Sequence, residues 1–576
     1  MKKTRTALSI LLAAVITFVC LYAVLINAQT VKAQDVTVDD TNDDWLYADG
    51  SKLYDMYGNE VWLTGANWFG FNCSECVLHG LWSAELRDTL KSIADHGINL
   101  LRVPVSTELL YYWMQGTPAP ATGLQAANGE YYKKNAELVK PDGTVMNSME
   151  VFDTMMSMCK EYGIKVMVDV HSPDANNSGH NYSLWYGKEM STGVMVTTDI
   201  WMDTWVWLVD KYKNDDTLIA VDLKNEPHGK ANEGTYAKWD NSTDENNWKY
   251  ASETCAKKIL AVNPNILIVI EGNETFTKNG TSYGAWWGGN LRGVADYPVD
   301  LVNYQSQVVY SPHDYGPAVF AQTWFNKDFT RQTLLDDYWY DTWAYIADQN
   351  IAPLLIGEWG GYLDGGKNEK WLNIIQDYII ENKINHTFWC INPNSGDTGG
   401  LLENDYVSWE PGKYGLLEEA LWQTSDGKYI GLDHKKALGE NGLSLTEYYD
   451  IKDDDPINKK PESGSGTVSD NSNNSTNSQN SSNSLNSNNS SNSNVSNNSY
   501  NSYNSNNSDS DLPKPQQKGD VNLDGVIDIM DVVAIRSHIV GNSMLKITEQ
   551  EIADMNSDNV VDISDVVFLR NCIVNA

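Results

Sequence analysis

Between Trp45 and about residue 450, short runs rich in Val and Ile alternate with longer segments whose apolar residues recur at helical spacing. Eight strand-like runs cover 61–66, 98–103, 165–170, 218–223, 266–271, 308–311, 353–357 and 386–391. They are continuously apolar, as strands covered on both faces are. Helical patterns cover 83–96, 149–162, 199–212, 248–261, 334–349 and 370–381, and Gly97 and Gly163 stand where C-terminal caps fall. This alternation over roughly 400 residues predicts an α/β fold, a (β/α)8 TIM barrel with loop insertions.

Such a barrel keeps its chemistry at the carboxyl ends of its strands. Two strings put a glutamate there: Leu223-Lys224-Asn225-Glu226-Pro227 and Ile356-Gly357-Glu358-Trp359-Gly360. A lone Glu carries little weight, because Glu is common and mostly exposed. A pair at two strand ends suits glycosidic cleavage, which needs one carboxylic acid to protonate the leaving oxygen and a second carboxylate across the anomeric carbon.

Further motifs close other strands. They are Leu101-Arg102-Val103-Pro104 after the second, Val168-Asp169-Val170-His171 after the third, Ser311-Pro312-His313-Asp314-Tyr315 after the sixth and Phe388-Trp389 after the eighth. Taken in this order, over residues 45–430, the motifs resemble glycoside hydrolase family 5, in particular its bacterial endo-β-1,4-glucanase branch. The resemblance implies a retaining cellulase with Glu226 as acid/base and Glu358 as nucleophile. It implies that Asn225 contacts the sugar hydroxyl beside the scissile bond, that Arg102, His171, His313 and Tyr315 are among the substrate-binding residues lining the site, and that Trp389 stacks on a sugar.

The chemistry of these residue types sets demands of its own. Glu226 must be protonated where a free Glu, of pKa about 4.3, is ionised; an apolar pocket or the charge of Glu358 would raise it. Glu358 must stay ionised, and the Arg102 guanidinium can fork onto it through two parallel hydrogen bonds. Of the 21 Trp, most belong in the core. Trp68, Trp286 and Trp287 are further sugar-platform candidates, in loops after the first and fifth strands. One departure stands out: two residues past Trp389, where a second aromatic is expected, the chain has Ile391, with Cys390 between. His171, His180, His228 and His313 lack close metal-ligand spacing and no Cys cluster joins them, so no catalytic cofactor is expected.

Rival readings differ by class. A catalytically inactive carbohydrate-binding barrel would be expected to lose Glu226, Glu358 or Arg102, and all three are present. A mannanase, xyloglucanase or licheninase of the same fold would differ in polar loop contacts, and these alternatives stay open.

Lys2-Lys3-Thr4-Arg5 and the apolar run that follows to Ile26 predict a secretory signal over residues 1–33, cut after Ala33 or Ala28. An apolar run of about 20 residues can also serve as a retained anchor. The formal net charge of −36 argues against nucleic acid or an anionic membrane surface, and is silent on uncharged glucan. Beyond Cys20 in the leader, Cys73, Cys76, Cys159, Cys255, Cys390 and Cys572 are open to disulfides outside the cell, without a pairing being implied. Cys73-x-x-Cys76 is a weak signal for a metal or for redox chemistry.

After the catalytic region, 45–450, residues 455–517 turn into Ser and Asn with almost no apolar side chain, a linker expected to be disordered. Its Asn-x-Ser sequons follow from composition. Residues 518–576 carry a duplication in which the stretch from Asp520 to Asp531 recurs from Asp554 to Asp565. Each is a twelve-residue calcium loop. Asp520, Asn522, Asp524, Asp528 and Asp531 with the Val526 carbonyl form one ligand set. Asp554, Asn556, Asp558, Asp562 and Asp565 with the Val560 carbonyl form the other, so two Ca2+ are expected. Gly525 and Asn559, at position six, tolerate the turn. Helices are expected over 532–540 and 566–573.

The module resembles a type I dockerin, which implies a cohesin domain on a scaffold as partner and an extracellular, cellulosomal location. Positions 10 and 11, Ile529-Met530 and Ile563-Ser564, are where that family selects its cohesin, and they depart from the frequent Ser-Thr pair. The reading as a whole is a secreted cellulosomal endo-β-1,4-glucanase.

Overall fold

Eight parallel strands build the barrel: β1 (Thr64–Asn67), β2 (Leu100–Ser106), β3 (Lys165–Ser172), β4 (Leu218–Asp222), β5 (Leu267–Glu271), β6 (Val308–Ser311), β7 (Leu355–Trp359) and β8 (Asn385–Phe388). In this computed structural model the described residues are 38–454, apart from 40, 125–134, 177–183 and 231–234, and scattered positions between 518 and 569. The expected leader over 1–33 and linker over 455–517 lie outside them. Among the described residues no helix is long and apolar enough to cross a membrane. The chain divides into two units, Met1–Ser465 and Gly466–Ala576.

Each strand pairs with its sequence neighbours, in the order β6-β5-β4-β3-β2-β1-β8-β7. Parallel bridges Tyr310↔Leu354 and His313↔Glu358 join β6 to β7 and close the circle. β2 and β3 are buried along their whole lengths, which explains why Val, Leu and Met dominate both without the alternation of a half-exposed strand. The helix Ser148–Tyr162 shows why its ends fall where they do. Asn147 and Glu150 form a capping box, and Gly163, at φ 75°, closes it in the left-handed conformation.

Two elements differ from expectation. The first run divides: Glu60–Val61 joins a small antiparallel sheet with Leu46–Asp49 and Lys52–Asp55, and the barrel strand starts at Thr64. Side-chain amides mark the break, with Leu63 N–H donating to Asn385 Oδ1 at 3.0 Å and Thr64 N–H to Asn99 Oδ1 at 2.8 Å. The expected helix 334–349 runs from Arg331 to Asp348 but widens to π-helix over Leu335–Ala344.

The small sheet seals the amino end of the barrel, where Leu46, Leu53 and Val61 pack with Leu100, Met167, Ile219 and Leu355. Beside them lies a buried ion network. Lys165 Nζ reaches Asp216 at 3.2 Å and Asp44, while His434 bridges Asp44 Oδ1 at 2.6 Å and Asp55 Oδ2 at 3.0 Å. Burial alone would lower the His434 pKa, but its bonds to Asp44 and Asp55 outweigh this and hold it up to about 9. A free His titrates near about 6.5, so this bridge contributes its full stability below that pH and loses it as pH rises through about 9. The barrel of the native chain should therefore outlast His434→Gln by most near pH 6 and by little near pH 10. Thermal unfolding of both chains across that range checks it, and a constant difference would contradict it.

Candidate active site

The carboxyl ends of the strands converge on Arg102, from the middle of β2, which is wholly buried. Its Nη1 donates to Glu358 Oε1 at 3.0 Å and to Asn67 Oδ1 at 2.9 Å. Nε and Nη2 both donate to Asp222 Oδ2, at 3.0 and 2.9 Å, and Nη2 also reaches Asn225 Oδ1 and Glu271 Oε1. Asp169 Oδ2 lies 3.3 Å from Nη1. The expected two-bond fork onto Glu358 is thus replaced by a single bond within a hub. With no exposed surface and all its bonds spent on protein, Arg102 does not contact substrate, which corrects its place among the substrate-binding residues.

Glu358 is fixed at both oxygens, because Tyr315 donates to Oε2 at 2.6 Å while Arg102 holds Oε1. His313 links the two glutamates of interest. Its Nδ1 lies 3.0 Å from Glu226 Oε1 and 3.5 Å from Glu358 Oε2, and its Nε2 lies 3.2 Å from Glu271 Oε1. Glu226 adopts φ 47°, and its N–H donates to Glu271 Oε2 at 2.7 Å. One oxygen of Glu226, one of Glu358 and a nitrogen of His313 all lie within 4.8 Å of one another.

Such close approach needs glycine at two places. A Cβ on Gly357 would stand 2.6 Å from Ser311 Oγ and 2.8 Å from His313 Nε2. One on Gly288, at φ 72°, would stand 2.4 Å from Glu271 Oε2.

The charges are set by burial and pairing. Burial alone would lower His313, but the charges of Glu271 and Glu358 and its bond to Glu226 hold it well above its ordinary value. Against the upward push of burial, Arg102 and His171 hold Asp169 below its ordinary value. Burial and the charge of Glu271 push Asp222 well above its own, despite Arg102. Burial pushes Glu358 up and the charge of Glu226 adds to this; His313 and Arg102 oppose them, and the net direction is upward.

The remaining predicted residues gather at one rim. His171 Nδ1 lies 3.0 Å from Asp169 Oδ1, and its ring stacks on Trp389 with centroids 5.5 Å apart. Trp389 is half-buried, and Phe69 stacks beside it at 5.6 Å and 13°. Phe69 is thus the aromatic beside Trp389, while Ile391 is buried in the core. Trp68 is not a platform. It is 1 % exposed and donates its indole N–H to His79 O at 2.9 Å. Side chains alternate in direction along extended chain, so Asn67 and Phe69 face the mouth and Trp68 faces away. Trp286 is buried, while half-buried Trp287 stacks on His228 at 4.0 Å.

Asn67, Asp222 and Glu271 were given no role by sequence reasoning, although Glu271 ends the fifth strand-like run as Glu226 follows the fourth. Cys73, Cys76, Cys159, Cys255 and Cys390 are buried free thiols. Cys73, Glu75 and His79 have the atoms to hold a cation, yet burial pushes the Cys73 thiol up to about 12 and His79 Nε2 lies 3.3 Å from Glu75 Oε2.

Residues 54–395 match the cellulase family, glycosyl hydrolase family 5, and residues 518–574 match the type I dockerin domain. The chain belongs to glycosyl hydrolase family 5. It is a retaining glycoside hydrolase with a C-terminal type I dockerin, a calcium-binding module type. It is 61 % identical to Endoglucanase G of Acetivibrio thermocellus over 474 residues, 78 % of this chain and 83 % of that protein. Endoglucanase B of the same organism is 45 % identical over 452 residues, 70 % of this chain and 77 % of that protein. Among solved structures, a cellotetraose complex of the Pyrococcus horikoshii endocellulase superposes with a TM-score of 0.55 at 32 % identity, covering 66 % of this chain and 98 % of that chain.

In the dockerin, Asp531 and Asp565, the closing residues of the two loops, are both 0 % exposed, and Val521 N–H donates to Asp531 Oδ1 at 2.7 Å. A buried carboxylate at the same position of both repeats fits an oxygen-ligated cation. Asp554 is also described; the other nine predicted ligands, Asp520, Asn522, Asp524, Val526, Asp528, Asn556, Asp558, Val560 and Asp562, lie outside the described residues.

The Arg102 hub yields a linked expectation. Replacing it by Met leaves buried carboxylates without their cation, which should cost about 3–5 kcal/mol of barrel stability. It should also raise Glu358 further. In the native chain the acid limb of kcat/KM should lie above the ordinary Glu value of about 4.3. In any Arg102→Met that remains folded it should move to higher pH still. Calorimetry and a pH–rate profile check both; an unmoved limb would contradict the linkage.

Proposed function

We propose that the chain is a secreted endo-β-1,4-glucanase that cuts internal bonds of cellulose with retention and docks through its C-terminal module onto a cohesin-bearing scaffold. The single observation that carries the mechanism is the closeness of the two glutamates, with one oxygen of each within 4.8 Å. Retaining enzymes hold their carboxyl groups about 5–5.5 Å apart and inverting ones about 6.5–9.5 Å, leaving room for water.

In this reading Glu358 attacks the anomeric carbon while Glu226 gives its proton to the leaving oxygen, so the glycosidic bond breaks as a glycosyl-enzyme ester forms. Glu226, now a carboxylate, takes a proton from water, which adds to the anomeric carbon and releases Glu358. Tyr315 and Arg102 keep the two Glu358 oxygens oriented throughout. Asn225 uses its acceptor on Arg102, which leaves its Nδ2–H to donate to the hydroxyl beside the scissile bond. Trp389, with Phe69 beside it and His171 behind it, offers a flat apolar face to the C–H face of a pyranose. The names of the relatives, and the cellotetraose bound by the Pyrococcus endocellulase, support β-1,4-glucan over mannan, xyloglucan or lichenan.

Proton NMR of the first sugar released from a cello-oligosaccharide should show the β-anomer, and an initial α-anomer would overturn the mechanism. Glu226→Gln and Glu358→Gln should both nearly abolish cellulose hydrolysis. On an aryl glycoside whose leaving group needs no proton, Glu226→Gln should still release a burst of phenolate and Glu358→Gln should not.

The dockerin is read as holding two Ca2+, one in each loop through the residues named above. A module of about 60 residues is marginal on core burial alone, so metal affinity should supply much of its folding free energy. EDTA should therefore abolish binding of the full chain to an immobilised cohesin while leaving hydrolysis of soluble glucan intact. Cohesin binding by a demonstrably calcium-free chain, or a parallel loss of hydrolysis, would contradict this.

A further inference from the structure

The peptide from Leu223 to Glu226 leaves β4 and has to turn the Glu226 side chain into the cleft. Most of its polar backbone atoms are met in succession. Leu223 N–H donates to Val269 O at 3.2 Å, and Leu223 O accepts from the indoles of Trp201 and Trp205, each at 3.0 Å. Asn225 N–H donates to Val170 O at 3.0 Å, Glu226 N–H donates to Glu271 Oε2 at 2.7 Å, and Glu226 O lies 2.7 Å from His228 Nδ1. Asn225 O belongs to the peptide directly before Glu226. The Lys224 ammonium donates to it, and to His171 O at the end of β3 at 3.2 Å.

This use of a lysine is unusual. Lys224 is 1 % exposed and feels the charges of Glu271, Glu226, Asp169 and Asp222. Among the described residues it nevertheless makes no ion pair, and its donors go to carbonyls. Burial lowers its pKa to about 8 against those four acids, so the ammonium is held at a real desolvation cost. The residue two places on, Glu226, sits at φ 47°, a region disfavoured for any side chain with a Cβ.

We propose that Lys224 is a positioning residue for the proton-transfer step: it ties the carbonyl ahead of Glu226 to the end of β3 and so holds the left-handed turn that aims the Glu226 carboxyl at the leaving oxygen. The proposal rests on the reading of Glu226 as acid/base.

The two readings can be tested separately with three full-length variants. Lys224→Met keeps length and apolar contact but has no donor; Lys224→Gln keeps a donor without the charge; Glu226→Gln is the reference. Each is measured on cellopentaose, whose leaving group must be protonated, and by the dinitrophenolate burst from 2,4-dinitrophenyl β-cellobioside, whose leaving group need not be, with thermal unfolding recorded alongside. General acid catalysis is worth about 10²–10⁴-fold, so a misaimed acid should lose a sizeable part of that.

Lys224→Met is expected to lower kcat on cellopentaose about tenfold or more at unchanged KM, and to leave the burst rate within about twofold, with Lys224→Gln recovering part of the loss. Equal losses on the two substrates would mean a merely structural lysine, and an unchanged kcat on cellopentaose would mean no role; either result overturns the proposal. If Glu226→Gln shows the substrate split and neither lysine variant does, only the Lys224 inference falls. If Glu226→Gln also loses the burst, the acid/base assignment falls and takes the inference with it.

Discussion

A guanidinium without solvent contact can persist only if its surroundings return the hydration it has lost, and Arg102 shows what that requires. Its partners come from five other strands or their ends: Asn67 on β1, Asp169 on β3, Asp222 on β4, Glu271 on β5 and Glu358 on β7. Each carboxylate would be costly to bury alone, and each is tolerable beside the cation. The relation runs both ways, because Arg102 biases the acids around it toward their charged forms. It helps hold Asp169 below its ordinary value and keeps Glu358 from rising as far as burial would take it, while at Asp222 burial and the charge of Glu271 outweigh it. The mouth of the barrel is one electrostatic unit, and a catalytic carboxylate there cannot be understood apart from its neighbours.

His313 extends the unit by one step. Its ring stands against Glu226, Glu271 and Glu358 together, so the pair read as acid and nucleophile share one imidazole as well as a cleft. The glycines that flank this cluster follow from its crowding. Gly357 and Gly288 occupy space that a methyl group would take from Ser311, His313 and Glu271, which is why the strand-end motif reads Gly-Glu.

The barrel was legible because continuous apolar runs and helical spacing are properties of the chain itself, and every predicted strand has a counterpart. What was less legible depends on the other side of the molecule. The break between Val61 and Thr64 is made by Asn99 and Asn385, remote in sequence. Trp68 and Phe69 are adjacent aromatics, and only strand parity, which shifts with one residue, tells the buried ring from the open one. The residues of the two glutamate motifs were readable, yet the Arg102 hub was not, since Asp222 and Glu271 look like ordinary strand-end acids until the circle closes. Lys224 lay inside a quoted motif and was passed over for the same reason: its partners are backbone carbonyls, which leave no mark in a sequence.

The two units meet one physical problem, buried carboxylates, in different ways. The barrel carries its own cation, Arg102, paid for by a core large enough to absorb the desolvation cost. The dockerin has a small described core of Val521, Ile535, Ile552, Ala553 and Leu569, and places an aspartate with no exposed surface at the end of each loop. Type I dockerins are a calcium-binding module type, and on the reading proposed above the compensating charge comes from outside as a bound metal. On the proposed reading the catalytic unit needs no free calcium, whereas the docking module depends on it. That difference follows from domain size and the placement of charge before any partner is considered.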